Sequence, residues 1–215
     1  MKFKSALFAA LTIATAATTP AAAAVTLGFV PGGAVYSGPT PTYNFDTPTP
    51  LTGGLITTGS VGGVRAQPLG STGKYGTVGP TDGSPATLDL SSFANISSIS
   101  LLWGSVDTYN TLELLNRSGG VLASFVGANV TALANGNQTS PFTNPIVTLG
   151  ISGADQTNIG GLRFKSTGNA FEFDNITISS VPEPTTWAML MLGFGIAGMS
   201  LRTRSRRVGT KVSFV

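Results

Sequence analysis

The sequence predicts an all-β body between residues 25 and 180, and three observations carry that prediction. Glycine, threonine, serine, asparagine and proline dominate the region, and charged residues are few. No stretch in it keeps apolar residues at helical spacing over three turns. Short segments instead alternate apolar and polar residues between clusters of turn formers, the pattern of half-buried strands in a sandwich or barrel.

The elements follow in chain order. After the Pro- and Gly-rich run PGGAVYSGPTPTYNFDTPTPLTGG, the first strand of the body is expected around Tyr43-Asn44-Phe45. Ser60 to Pro85 reads as a long loop with short strands, and loops of that length in compact domains usually serve binding or move. SSISLLWGS places Ile99, Leu101 and Trp103 on one face of a strand. TLELLNRSGGVLASFVG reads as a hairpin: Leu112 and Leu114 alternate with Glu113, Ser118-Gly119-Gly120 turns the chain, and Val121, Ala123 and Phe125 return. Asn129 to Pro145 is a second polar loop. LRFKSTGNAFEFDNITIS reads as another hairpin, with Thr167-Gly168-Asn169 as its turn and Arg163 or Lys165 set against Glu172 or Asp174. Its apolar parity changes after Asp174, so a bulge is expected at Asp174-Asn175. No internal repeat appears, and the reading is one domain.

The two ends differ from this body. MKFKSALFAALTIATAATTPAAAAVTL opens with Lys2 and Lys4, continues with an apolar run from Ala6 to Ala17, and offers Ala22-Ala23-Ala24 as a small-residue cleavage site. That is the form of a secretory signal peptide over residues 1–24, cut between Ala24 and Val25. At the other end, the apolar run from Trp187 to Leu201 makes roughly 22 Å of helix, against a hydrocarbon core of about 30 Å. Thr185, Thr186 and snorkelling arginines extend it. Gly193, Gly195 and Gly198 suit helix contacts in a membrane, so a short transmembrane helix over 185–201 is expected. Arg202, Arg204, Arg206 and Arg207 would hold its far end in the cytoplasm.

Charge and composition exclude several functions. The formal net charge is +3, yet the basic residues concentrate in the two terminal segments. Between Val25 and Ser180 the cations are Arg65, Lys74, Arg117, Arg163 and Lys165. Against them stand Asp46, Asp82, Asp89, Asp107, Glu113, Asp155, Glu172 and Asp174, which leave the body negative by three. Such a body has no basic patch for a phosphate backbone, so no nucleic-acid partner is expected. The chain has no cysteine and no histidine. This removes disulfide staples, a His-based triad, a Cys nucleophile and a zinc site of imidazole or thiolate ligands.

The remaining candidates are few. Trp103, Tyr109, Tyr75 and Tyr36 are aromatic rings that can stack on a sugar face. Trp103 shares parity with Ile99 and Leu101 and belongs to the core, whereas Tyr109 and Tyr75 are the candidate carbohydrate contacts. Asp107 and Glu113 are the one pair worth testing as glycosidase carboxylates. Glu113 sits on an exposed face with nothing to tune it, and the expectation is a protein that is not an enzyme. Sequons occur at Asn95, Asn116, Asn129, Asn137 and Asn175, and matter only in a host that glycosylates them.

AFEFDNITIS resembles the last strand of extracellular jelly-roll modules, including galactose-binding-like and carbohydrate-binding domains. Tyr43-Asn44-Phe45-Asp46 is similar to the opening strand of such modules. The resemblance implies a single jelly-roll-like antiparallel β-sandwich whose first and last strands are neighbours. Asp46 would then lie near Asp174, a candidate calcium pair of oxygen ligands; the plainer reading is that both carboxylates satisfy turn amides, and no cofactor is otherwise expected. The order Pro182-Glu183-Pro184, then Trp187-Ala188-Met189, then a Gly-rich apolar helix, then arginines, closely resembles the PEP-CTERM sorting signal of Gram-negative bacteria. That resemblance implies export and transient residence at the inner membrane. It also implies recognition of Pro182-Glu183-Pro184 by an exosortase, a membrane-embedded transpeptidase, and delivery to the cell surface or extracellular matrix. The stretch from ISLLWGSVDTYNTLELL to FEFDNITIS is similar to the body of exosortase-dependent surface proteins.

The organisation expected is therefore a signal peptide over 1–24, the exported body over 25–180, a sorting signal over 181–207 and a short tail over 208–215. The function expected is that of a non-enzymatic surface or matrix protein. The alternative is a carbohydrate-binding module that tethers exopolysaccharide in a biofilm matrix.

Overall fold

The computed structural model describes residues 24–182 and 184–205. In chain order the strands are β1 (Ala24–Val30), β2 (Leu51–Thr52), β3 (Leu55–Thr57), β4 (Tyr75–Val78), β5 (Ala86–Asp89) and β6 (Ile96–Gly104). There follow β7 (Asn110–Asn116), β8 (Val121–Val126), β9 (Ile146–Ser152), β10 (Ile159–Ser166) and β11 (Phe171–Ser180). A single helical turn, α1 (Gly127–Val130), follows β8, and a long helix, α2 (Pro184–Ser205), follows β11.

The strands form two antiparallel sheets. One has six strands in the order β1-β9-β6-β11-β4-β3, the other five in the order β2-β5-β10-β7-β8. From β4 onward the chain alternates between the sheets, except for the β7–β8 hairpin. Both sheets contribute to one core: Val78, Ile99, Leu101 and Val147 come from the first, and Leu88, Leu112, Leu114 and Leu162 from the second. Aromatic rings join the two. Phe164 of β10 stacks on Phe173 of β11 at 3.6 Å between centroids and meets Phe171 edge-on at 5.5 Å, while within the larger sheet Trp103 of β6 stacks on Phe171 at 4.3 Å. Ile99, Leu101 and Trp103 are all fully buried, as their shared parity predicts.

The first predicted hairpin forms, with Leu112 opposite Phe125 and Leu114 opposite Ala123. Gly119 at its turn takes φ +83°, a conformation that favours glycine. The predicted bulge also forms, since the β11–β6 register shifts between Asp174 and Thr177, where Asn175 has φ +50°.

Two strand assignments are corrected. The first strand is β1, not Tyr43-Asn44-Phe45; Tyr43 makes only an isolated bridge to Ile176 of β11. β1 is hidden in the sequence because AVTLGFV continues the apolar, small-residue character of the residues that precede it. The second predicted hairpin is a crossing between sheets: β10 pairs with β5 and β7, while β11 pairs with β4 and β6. Alternation of apolar and polar residues is the same whether a turn reverses a strand within a sheet or carries it across the core. Arg163 and Lys165 accordingly meet Glu113 of β7, at 2.6 and 3.2 Å, and not Glu172 or Asp174.

The helix expected near the C-terminus is present as α2, but the transmembrane span over 185–201 is corrected. Among the described residues no helix is long and apolar enough to cross a membrane. Gly193, Gly195, Gly198 and Ser200 dilute the run, and arginines close it at Arg202. The expected signal helix falls on residues outside the described ones, as do Glu183, Arg206, Arg207 and the tail over 208–215.

Candidate functional site

Two places in the chain gather chemistry. The first is a polar pocket built from the loops that follow β6 and β10 and from the long loop before β4. β6 ends at Gly104, and Ser105 then adopts φ +35°, an uncommon conformation for a residue with a side chain. Two contacts hold it there. Its N–H donates to Asn144 Oδ1 at 3.1 Å, and its hydroxyl donates to Glu172 Oε2 at 2.7 Å. Sparsely populated backbone conformations persist where the surroundings over-determine them, and they cluster at binding sites.

Glu172 is fully buried, although it lies on the face of β11 that alternation assigns to solvent. The long loop covers it, and the Ala66 N–H donates to Glu172 Oε1 at 2.7 Å. Burial pushes the Glu172 carboxyl up to about 7, against the lowering effect of these hydrogen bonds, and the charge of Asp107 adds to the rise. Asp107 is also raised, chiefly by burial. The Tyr109 hydroxyl donates to Asp107 Oδ2 at 2.6 Å and lies 2.9 Å from the Asn169 carbonyl. Burial, and then this bond to Asp107, raise the tyrosine. Gly168 lies against the Tyr109 ring so closely that a Cβ there would sit 2.9 Å from it.

These groups line a cavity of about 200 Å³, with Arg65, Asn135, Gln138 and Asn169 completing its polar wall. Arg65 is held by Asp82 at 2.5 Å. Its Nε is buried and has no hydrogen-bond partner. Tyr109 also borders a second cavity of about 660 Å³, walled by Pro80, Pro85, Thr111 and Lys165.

The sequence-predicted residues divide clearly. Tyr109 lies at this pocket. Tyr75 does not: it is fully buried, its hydroxyl donates to the Gly59 carbonyl at 2.6 Å, and burial pushes it to about 12. It cannot meet a sugar, which corrects that assignment. Asp107 joins the pocket, but its expected companion Glu113 lies elsewhere, held below its ordinary range by Arg163 and Lys165 against the opposing effect of burial. Tyr36 hydrogen-bonds to the Pro39 and Asn175 carbonyls.

Asp46 and Asp174 are close enough that the charge of Asp46 adds to the rise of Asp174, which burial chiefly drives to about 7. Their oxygens already accept hydrogen bonds. Lys74 N–H and the Asn44 amide serve Asp46, and the Ser71 hydroxyl and Asn175 N–H serve Asp174. Among the described residues no group of three or more acidic side chains is placed to hold a metal. This geometry matches carboxylates that satisfy turn amides.

Sequence reasoning missed Glu172, Arg65, Ser105, Asn135, Gln138 and Asn169 as one site. The length of the Ser60–Pro85 loop was the available signal, since a loop that long has to lie on something.

The second place is the C-terminal segment. β11 ends at Ser180, and the Val181 N–H still bonds to the Asn95 carbonyl at 3.0 Å. Pro182 follows immediately, and α2 begins at Pro184. Along α2, Trp187, Met189, Leu190, Met191, Leu192, Phe194, Ile196, Met199 and Leu201 are all exposed. Apolar surface of that extent marks an interaction site.

Residues 180–207 match the PEP-CTERM protein-sorting motif. No curated protein and no solved structure matches the chain. The motif implies an exported protein that an exosortase processes and sorts.

Proposed function

We propose that this protein is a non-enzymatic surface or extracellular-matrix component, released to its destination when an exosortase acts at Pro182-Glu183-Pro184. The observation that carries the proposal is the sorting motif over residues 180–207. It starts where β11 ends, so that the recognised tripeptide directly adjoins the folded body. In this reading residues 1–24 direct export and are removed after Ala24. Residues 25–180 form a jelly-roll-like sandwich, residues 181–207 meet the exosortase at the inner membrane, and 208–215 leave with them. Alternation of the strands between two antiparallel sheets favours the jelly-roll description. The apolar, exposed α2 and its terminal arginines are the part offered to the exosortase, with Trp187 at its start.

Mass spectrometry of the surface-released protein tests this. Peptides should end in the region of Pro182-Glu183-Pro184 and begin at Val25. Recovery of intact Trp187–Arg207 peptide from the released form overturns the proposal. Glu183→Ala should leave uncleaved precursor in the inner-membrane fraction.

A second reading, a carbohydrate-binding module that tethers exopolysaccharide, is favoured by one observation. Tyr109 borders a pocket whose walls are almost wholly hydrogen-bonding groups, the chemistry that a hydroxyl-rich ligand requires. Drug-like ligand pockets are in general larger and mostly apolar. No nucleic-acid partner belongs to either reading, because the body is negatively charged.

A further inference from the structure

We infer that the two cavities flanking Tyr109 are adjoining subsites for one polysaccharide strand, and that this strand is made of amino sugars and not of uronic acids. The inference deepens the saccharide reading above and rests on it.

The division of space argues for a chain of sugars. The inner cavity, about 200 Å³, matches the volume of roughly six or seven waters and so holds about one sugar ring. The outer cavity is larger, and Tyr109 is a wall of both. The turn from β10 to β11 borders both as well, Thr167 lining the outer cavity and Asn169 the inner one. A monosaccharide fills one compartment; a strand laid across Tyr109 fills two.

The hydrogen-bonding groups argue for hydroxyls. Arg65 Nε is buried without an acceptor, and an unmet buried donor is costly. That atom is itself closed to solvent, but the Arg65 side chain as a whole is 17% exposed and lines the inner cavity, where its guanidinium meets a ligand oxygen. Gln138 lines the same cavity and is exposed, and among the described residues no hydrogen bond engages its amide. Asp107 and Glu172 supply acceptors. A sugar ring, with donors and acceptors all round, matches such a mixed wall.

The charges decide the class of sugar. Neither Asp107 nor Glu172 has an ion-pair partner among the described residues, whereas Arg65, the cation that lines the inner cavity, is paired with Asp82. The inner cavity therefore presents the uncompensated Asp107 carboxylate, with Glu172 adding charge once it has lost its proton, beside an Arg65 that is already neutralised. An ammonium group on the ligand complements it, and a ligand carboxylate is repelled.

Isothermal titration of the full chain with a β-1,4-glucosamine hexamer, cellohexaose, a galacturonate hexamer and glucosamine itself tests each step. The glucosamine hexamer is expected to bind at least tenfold tighter than the monomer, cellohexaose more weakly than the glucosamine hexamer, and the galacturonate hexamer not at all. Gln138→Ala, whose side chain supports nothing in the fold, should weaken the hexamer several-fold. Asp107→Asn should weaken the glucosamine hexamer about tenfold and leave cellohexaose little changed. The failures are distinguishable. Equal affinity for hexamer and monomer overturns the two subsites, and galacturonate binding as tightly as glucosamine overturns the charge assignment. Binding of none of the four overturns the saccharide reading itself, while leaving the sorting proposal to its own test.

Discussion

Replacing Glu172 with glutamine should make the protein more stable at alkaline pH, and the structure sets the size of the effect. The carboxyl is fully buried and its affinity for a proton is raised from 4.5 to about 7. The native state thus holds this proton where the unfolded chain has already released it. Stability therefore falls as pH rises from about 4.5 to about 7 and is level beyond. At about 1.4 kcal/mol per pH unit, Glu172 alone accounts for a loss of about 3 kcal/mol. Glutamine is the isostere of the protonated acid: its carbonyl can accept from the Ala66 N–H, and its amide can donate to the Ser105 hydroxyl. The variant should match wild type near pH 5 and exceed it near pH 8, by roughly 6–12 °C in Tm for a chain of this size. Asp174, raised from 3.8 to about 7, adds a slope of its own, so Glu172→Gln with Asp174→Asn should flatten the profile where the single variant only reduces it. Thermal unfolding by circular dichroism at pH 5, 6, 7 and 8 is the assay. A wild-type profile that is flat over this range, or a Glu172→Gln profile as steep as wild type, refutes the argument.

Three further changes test the packing. Gly76→Ala places a methyl 2.3 Å from the buried Phe173 ring, and overpacking of this kind should cost about 1–3 kcal/mol in urea unfolding. Arg117 donates to the carbonyls of Thr157, Ser91 and Phe93; Arg117→Ala should lower stability by about 1–3 kcal/mol, and Arg117→Lys should restore only part, because an ammonium cannot span three carbonyls as the planar fork does. Phe171→Ala removes the ring that stacks on Trp103 and should cost about 3–5 kcal/mol, read as a lower denaturation midpoint.

The sequence made the class of the body legible because alternation is a local property. Ile99-Leu101-Trp103 and the Leu112–Phe125 hairpin needed only neighbouring residues to be read, and both are found. The bulge at Asp174-Asn175 was legible for the same reason. What failed was whatever depends on a partner far along the chain. Local alternation cannot say whether Thr167-Gly168-Asn169 turns within a sheet or between sheets. It sent Glu172 to solvent, because the segment that covers it lies 106 residues away at Ala66. Tyr75 was misplaced for a related reason: a tyrosine among glycines reads as surface until the strand pairing around it is known. Half of the pocket was in view through Tyr109 and Asp107, and the other half arrives by long-range contact. The sorting motif was the most legible feature of all, since it is a linear signal that depends on no fold.

β11 is the last strand of the body and also an interior one, with β6 on one side and β4 on the other. Without it the larger sheet is two fragments, β1-β9-β6 and β4-β3, and the core lacks Phe171 and Phe173. A chain delivered N-terminus first therefore cannot close its core until residues 171–180 have been released. Folding is timed by the arrival of its own C-terminal strand, at the rates of long-range β pairing, on the order of milliseconds to seconds. The sorting motif begins at residue 180, so completion of the fold and presentation of the motif are consecutive events on one emerging chain.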